Sequence, residues 1–176
     1  MKNAIRIVIA LLACSLTAAA TSIIPMSVEE LSQAATHVVE GQALRSWSAW
    51  NEQHTLIYTY TSFAVGRTLK GTAPAEIVVK QPGGSAGGYT QTVWGVRHLQ
   101  SGEHALLFLR PSMAADGTMV IVGLMQGQFQ VFQAGSEAMA SNGIVHNRKY
   151  DHGMIEKAGT SPRLSDIEDT VRRAIE

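Results

Sequence analysis

Apolar and polar positions along this chain change period several times, and each change marks an element. Ser27-Val28-Glu29-Glu30 has the form of a capping box, a Ser and a Glu three residues apart that satisfy each other's exposed backbone donors. It predicts a short helix with Val28, Leu31 and Ala35 facing the core. At His37-Val38-Val39-Glu40-Gly41 the pattern turns to strand and continues to Trp50, with Leu44, Trp47 and Trp50 as candidate anchors. Asn51-Glu52-Gln53 reads as a turn. Leu56 to Val65 is rich in aromatic and β-branched residues and is the clearest strand in the chain. Its alternation places Tyr58, Tyr60 and Ser62 on one face and Ile57, Thr59, Thr61, Phe63 and Val65 on the other. Leu69-Lys70-Gly71 and Pro74 close it.

Glu76 to Lys80 predicts a third strand, and Pro82 to Gly88 a glycine-rich connection. Tyr89 to Trp94 alternates as a hairpin partner would. Ser101-Gly102 turns the chain into His104 to Leu109, a near-continuous apolar run suited to a strand buried on both sides. Asp116-Gly117 is a hairpin signal leading into Met119 to Gly123. Phe129 to Phe132 reads as a last strand, with Phe129 and Val131 on one face. Residues 134–163 lose periodicity and read as an irregular loop. Ser165-Asp166-Ile167-Glu168 then forms a second capping-box pattern, and Leu164, Ile167, Val171 and Ile175 share one face of a helix over 164–176. Five to seven short strands with flanking helices predict a mainly β fold, a small antiparallel barrel or sandwich.

The first twenty residues follow a different logic. Lys2 and Arg6 precede a short apolar run, Ile7 to Ala13, and Ala18-Ala19-Ala20 offers small residues to a peptidase. This is the three-part pattern of a signal peptide, and the run is well short of the roughly 20 apolar residues a spanning helix needs. The expectation is export to the periplasm or medium, with a mature chain that starts at Thr21 and lacks a transmembrane segment. Leu11-Leu12-Ala13-Cys14 resembles a lipobox, so anchoring through a lipidated Cys14 is the alternative. Cys14 is the only cysteine, which leaves the mature domain without a disulfide framework or thiolate metal site. At 176 residues there is room for one ordinary domain held by core packing. Lys plus Arg and Asp plus Glu are equal at 14 each, which supplies no basic field for nucleic acid.

The order of these signals resembles the netrin-like and tissue-inhibitor-of-metalloproteinase branch of the OB-fold, as in a group of uncharacterised exported bacterial proteins. The residues that carry the likeness are Ala35 to Gly41, Tyr58 to Val65 with Leu69-Lys70-Gly71, and Gly102 to Leu109. The resemblance spans roughly residues 28–132 and implies an OB-like antiparallel barrel with a short N-terminal helix and a C-terminal helix. The chain then divides into a signal peptide (1–20), the barrel (21–133), the loop (134–163) and the helix (164–176). The inhibitors of that branch reach a catalytic zinc with an N-terminal cysteine, which the mature chain lacks, so the fold carries over and the inhibitory chemistry does not.

Three patterns invite a chemical reading. Gly83-Gly84-Ser85-Ala86-Gly87 matches the string of a nucleophile elbow, but the residues after it read as a strand where the elbow needs a helix. Six histidines include His98 and His104 beside a turn, and His146 and His152 with Asp151 in the late loop. None has the helical i, i+4 spacing of a zinc protease. Trp47, Trp50, Tyr58, Tyr60 and Trp94 are the aromatic candidates for a binding face, with Ser85 on the glycine-rich connection. These considerations favour a non-enzymatic, exported binding domain with a protein or glycan partner and no cofactor. A small hydrolase or metal-dependent enzyme built on Ser85 or the late histidines, and a protease inhibitor without the usual cysteine, are the alternatives.

Overall fold

A computed structural model describes residues 24–143 and 161–176. The predicted signal peptide, Cys14, and the late His146, Asp151 and His152 lie outside the described residues. The elements in order are α1 (Val28–Ala34), β1 (His37–Trp50), β2 (Ile57–Lys70), β3 (Glu76–Pro82), β4 (Gly84–Ala86), β5 (Tyr89–Gln91), β6 (His104–Pro111), β7 (Met119–Ile121), β8 (Gln128–Ala134), β9 (Glu137–Ser141) and α2 (Leu164–Ile175). A 3-10 turn, Leu124–Gly127, separates β7 from β8.

The fold is mainly β. Seven strands form a mixed sheet in the order β1-β2-β3-β7-β6-β8-β9, and β1 also pairs with β6. That extra pairing closes β1-β2-β3-β7-β6 into a ring. Every pairing in the ring is antiparallel except β3 with β7, which is parallel and rests on one residue pair, Val79 with Met119. β1 serves two neighbours because it is long and irregular, with register shifts at Val38/Val39, Glu40/Gly41 and Ala43/Arg45. Such bulges bend a strand and raise its twist. Gly41 lies at one of them, where a Cβ would stand 1.9 Å from the Ala64 carbonyl oxygen, so the close approach of β2 admits only glycine.

β6 is the wall between two cores, as its unbroken apolar run predicts. Leu106 and Phe108 face Leu31, Val38, Phe129, Leu164, Ile167 and Val171 beneath the two helices. Ala105, Leu107 and Leu109 point the other way, into the ring with Val39, Phe63, Val79 and Leu99. On β2 the predicted inner residues Ile57, Thr59, Thr61 and Phe63 are buried and Tyr58 and Tyr60 are half-buried on the outer face. The capping box of α1 forms in full, with Glu30 N donating to Ser27 Oγ and Ser27 N to Glu30 Oε2. At the other end of α1, Lys70 Nζ donates to the carbonyls of Ser32 and Ala35, each at 2.7 Å, where a cation satisfies orphan acceptors.

Four expectations need correction. Leu44 and Trp47 do not anchor the core. β1 carries them past the end of the β6 pairing, and both are about two-fifths exposed (42% and 40%). The strand expected over Tyr89 to Trp94 stops at Gln91, because its partner β4 is three residues long. The loop expected over 134–163 contains β9, a hairpin partner of β8. Finally, α2 starts at Leu164 with Arg163 at its N-cap and no side-chain cap, so Ser165 lies inside the helix and the predicted capping box does not form.

Glu168 accepts two bonds from the Arg67 guanidinium, which also donates to Glu40, so a C-terminal helix, β2 and β1 meet at one charge cluster. These two carboxylates, Glu168 foremost, hold Arg67 above its ordinary pKa. Among the described residues no helix is long and apolar enough to cross a membrane.

Candidate functional site

The aromatic candidates fall into two groups set by strand register. Trp47 on β1 is opposite Tyr60 on β2, and Tyr60 is opposite Lys80 on β3. Cross-strand neighbours of this kind touch, and here they form a row. Trp47 stacks on Tyr60 at 5.7 Å between centroids, and the Arg45 guanidinium lies 5.2 Å from the Trp47 ring. Lys80 Nζ sits 4.5 Å from the Tyr58 centroid and 5.7 Å from that of Tyr60. Trp50 meets His54 and, edge-on, Tyr89. Each of these rings is therefore already engaged by a side chain of the same molecule.

Trp94 differs. It is 90% exposed, and among the described residues no ring or cation stacks on it. Its position is nonetheless fixed. Val96 N donates to the Val93 carbonyl across Trp94-Gly95, and Gly95 has φ +78°, as the third position of a type II turn requires. Met125 N donates to the Gly95 carbonyl, which ties the turn to the 3-10 segment. Tyr89, at the tip of the β4–β5 hairpin, is 67% exposed.

Beside the Trp94 turn the ring opens into a cleft of about 190 Å³. Its origin is the weak β3–β7 seam: past the single Val79–Met119 pair the two strands part, leaving Lys80, Gln81 and Pro82 on one side and Val120 and Ile121 on the other. Val96, Leu124, Tyr58 and Arg110 complete the lining. Leu124 holds a left-handed backbone (φ +59°), a conformation that costs a non-glycine residue about 1 kcal/mol or more.

Charge in the cleft is uneven. Lys80 Nζ is 2.8 Å from Asp116 Oδ2. Desolvation pulls the Lys80 pKa down, but the Asp116 carboxylate and the two phenols outweigh it and the net shift is upward. The same contact, helped by Thr118, holds Asp116 well below the usual carboxylate range. Arg110 is opposite Val120 across the β6–β7 hairpin and is exposed. Among the described residues no carboxylate, carbonyl, hydroxyl or ring engages it, whereas every other described Arg and Lys side chain has such a partner, Arg173 only the Thr170 hydroxyl.

Behind the cleft lies a buried polar network that sequence reading missed. The Gln81 amide nitrogen donates to the Arg97 carbonyl at 2.8 Å, and Leu99 N donates to Gln81 Oε1. Gln128 is fully buried, with its amide nitrogen toward the Arg97 carbonyl and its oxygen toward the Arg97 guanidinium, each at 2.8 Å. Arg97 in turn pairs bidentately with Glu103. A fully satisfied network of this kind fixes the loop that carries Trp94. The hint in the sequence was Gln128, one of several glutamines within a largely apolar stretch.

Ser85 is on β4, followed by the Gly87-Gly88 turn and β5, and its hydroxyl contacts Thr90 Oγ1 at 2.8 Å. His98 Nε2 contacts the Pro82 carbonyl, and His104 pairs with Glu40 at 3.2 Å. Among the described residues no three His, Cys, Asp or Glu side chains converge as a metal site. No family model matches the chain, and no curated protein matches it.

Proposed function

We propose that this protein is a non-enzymatic binding domain, exported from the cytoplasm, that captures a protein partner through Trp94, Tyr89 and the adjoining cleft. The observation that carries the reading is Trp94, almost wholly exposed yet held on a hydrogen-bonded turn whose last residue, Val96, lines a cleft. Exposing a Trp is unfavourable in isolation, and Trp, Tyr and Arg are the side chains that dominate binding energy at protein interfaces. Trp47, Trp50, Tyr58 and Tyr60 are occupied by their own neighbours, which leaves Trp94 as the aromatic ring open to a partner. The catalytic alternative is weaker because Ser85 has a hydroxyl for a neighbour rather than a base.

We also propose that the ring is an OB-like barrel related to the netrin-like branch. The ring order β1-β2-β3-β7-β6, returning to β1 with a parallel β3–β7 seam, supports it, as does the position of Gly41 in the first strand.

Capture from the exported protein fraction tests the function. The wild-type chain retains a specific protein, and Trp94→Ala weakens that complex by about thirtyfold or more while leaving Tm unchanged, since the ring packs on nothing. Equal capture by wild type and Trp94→Ala would show that this surface is not the binding surface.

A further inference from the structure

We infer that the cleft at the β3–β7 seam receives the C-terminal residue of a partner chain, an apolar side chain whose own α-carboxylate pairs with Arg110. This deepens the binding reading above and rests on it. Three observations carry it. The first is size: about 190 Å³ is smaller than the 300 Å³ or more of a typical small-molecule pocket and suits one amino-acid side chain. The second is the lining, apolar on Pro82, Val96, Val120 and Leu124, which favours an aliphatic or aromatic group. The third is charge. Lys80 is already paired with Asp116, whereas Arg110 has no partner among the described residues.

These constraints select one kind of ligand. An uncharged apolar anchor would desolvate Arg110 without pairing it, which is costly. The cleft has room for a single residue, so the anchor and the negative charge must belong to the same residue. A chain terminus meets that condition, because its carboxylate is bonded to the Cα that carries the anchoring side chain. The guanidinium fork matches a carboxylate with two parallel hydrogen bonds. Leu124 fits the same picture: its left-handed backbone places a partly exposed leucine in the cleft lining, at a cost that packing on an anchor would offset.

The test titrates the intact protein with acetyl-Gly-Ser-Gly-Leu bearing a free carboxylate, with its C-terminal amide, and with the same peptide extended by Gly-Gly. Calorimetry and amide shifts at Val96, Val120 and Leu124 report binding. The free acid is expected to bind at the cleft and the other two about tenfold or more weakly, as loss of a charge-assisted contact implies. Arg110→Gln, an exposed change, removes that discrimination. Equal binding of acid and amide, absence of binding at millimolar peptide, or an acid preference that survives Arg110→Gln each overturns the inference. So does saturable binding of octanoate without binding of the peptides, which would assign the cleft to a fatty acyl carboxylate. Capture of a partner that is lost with Trp94→Ala but kept with Arg110→Gln leaves the binding function standing and removes only the terminal-residue inference.

Discussion

Replacing Arg67 tests what holds the C-terminal helix against the sheet. Two contributions compete. Leu164, Ile167 and Val171 of α2 are buried in the core beneath the helices, each contributing about 1.5–3 kcal/mol if fully buried. The ion pair adds a second contribution, and its size depends on exposure. The Glu168 side chain is 9% exposed and that of Arg67 is 47% exposed. Exposed pairs contribute about 0–1 kcal/mol, whereas removing one member of a buried pair costs about 3–5 kcal/mol. The mixed geometry places the coupling between Arg67 and Glu168 at about 1.5 kcal/mol. Packing therefore outweighs the ion pair, so Arg67→Met should loosen α2 without releasing it.

The assay is a double-mutant cycle of Arg67→Met and Glu168→Gln by urea unfolding at pH 7, with hydrogen exchange read over 164–175. The expected result is a coupling near 1.5 kcal/mol and a fall in amide protection of about tenfold, with the helix retained. Conversion of a buried position, Val171→Asp, should detach the helix outright. A coupling under about 0.5 kcal/mol would refute the electrostatic part of the argument. Complete loss of protection in Arg67→Met would refute the ranking, because it would mean that charge rather than packing docks α2.

Two further outcomes follow from the geometry. Gly41→Ala should destabilise the fold by about 3 kcal/mol or more, measured by urea or thermal unfolding, because the new methyl meets a backbone carbonyl that cannot move aside. A loss below about 1 kcal/mol would mean that β1 and β2 part easily at that bulge. Asp116 has a depressed pKa in the folded state, so its pair with Lys80 stabilises above the unfolded carboxylate pKa of about 3.9 and that stability is lost as pH falls through the folded value. Wild type should exceed Asp116→Asn in stability at pH 6, by up to about 1 kcal/mol for this partly exposed pair, with the gap closing only below about pH 4. A gap that instead widens on acidification would reverse the sign.

Much of the architecture was legible because it rests on local chemistry. The first capping box, the alternation of Tyr58 and Tyr60 against Thr59 and Thr61, and the two-sided burial of Leu106 to Leu109 each depend on residues near in sequence. What was not legible depends on partners far away. Glu168 reads as a capping residue, but the helix begins ahead of Ser165 and β2 brings Arg67 to Glu168 across 101 positions. Trp47 reads as core until the end of the β6 pairing leaves it outside. β9 has little apolar alternation and exists because β8 offers it an edge. The candidate surface was half legible: Trp94 stood out as a residue, but the cleft beside it is a gap between β3 and β7, and no sequence pattern announces a gap.

The pairing of β1 with β6 has a consequence for how the chain reaches its structure. Thr36 and Leu109, which hydrogen-bond at the start of that ladder, are 73 residues apart. Bringing such distant positions together costs about 4 kcal/mol in chain entropy before any contact repays it. β1 and β2 can form their hairpin early, but the apolar side of β1 stays uncovered until β6 arrives. Because β6 also floors the second core, neither core can mature ahead of it. A chain emerging from its N-terminus thus waits, with its first strands exposed, until more than half its length is free, and the core beneath the helices waits longer still, for β8 and the C-terminal α2 that complete it.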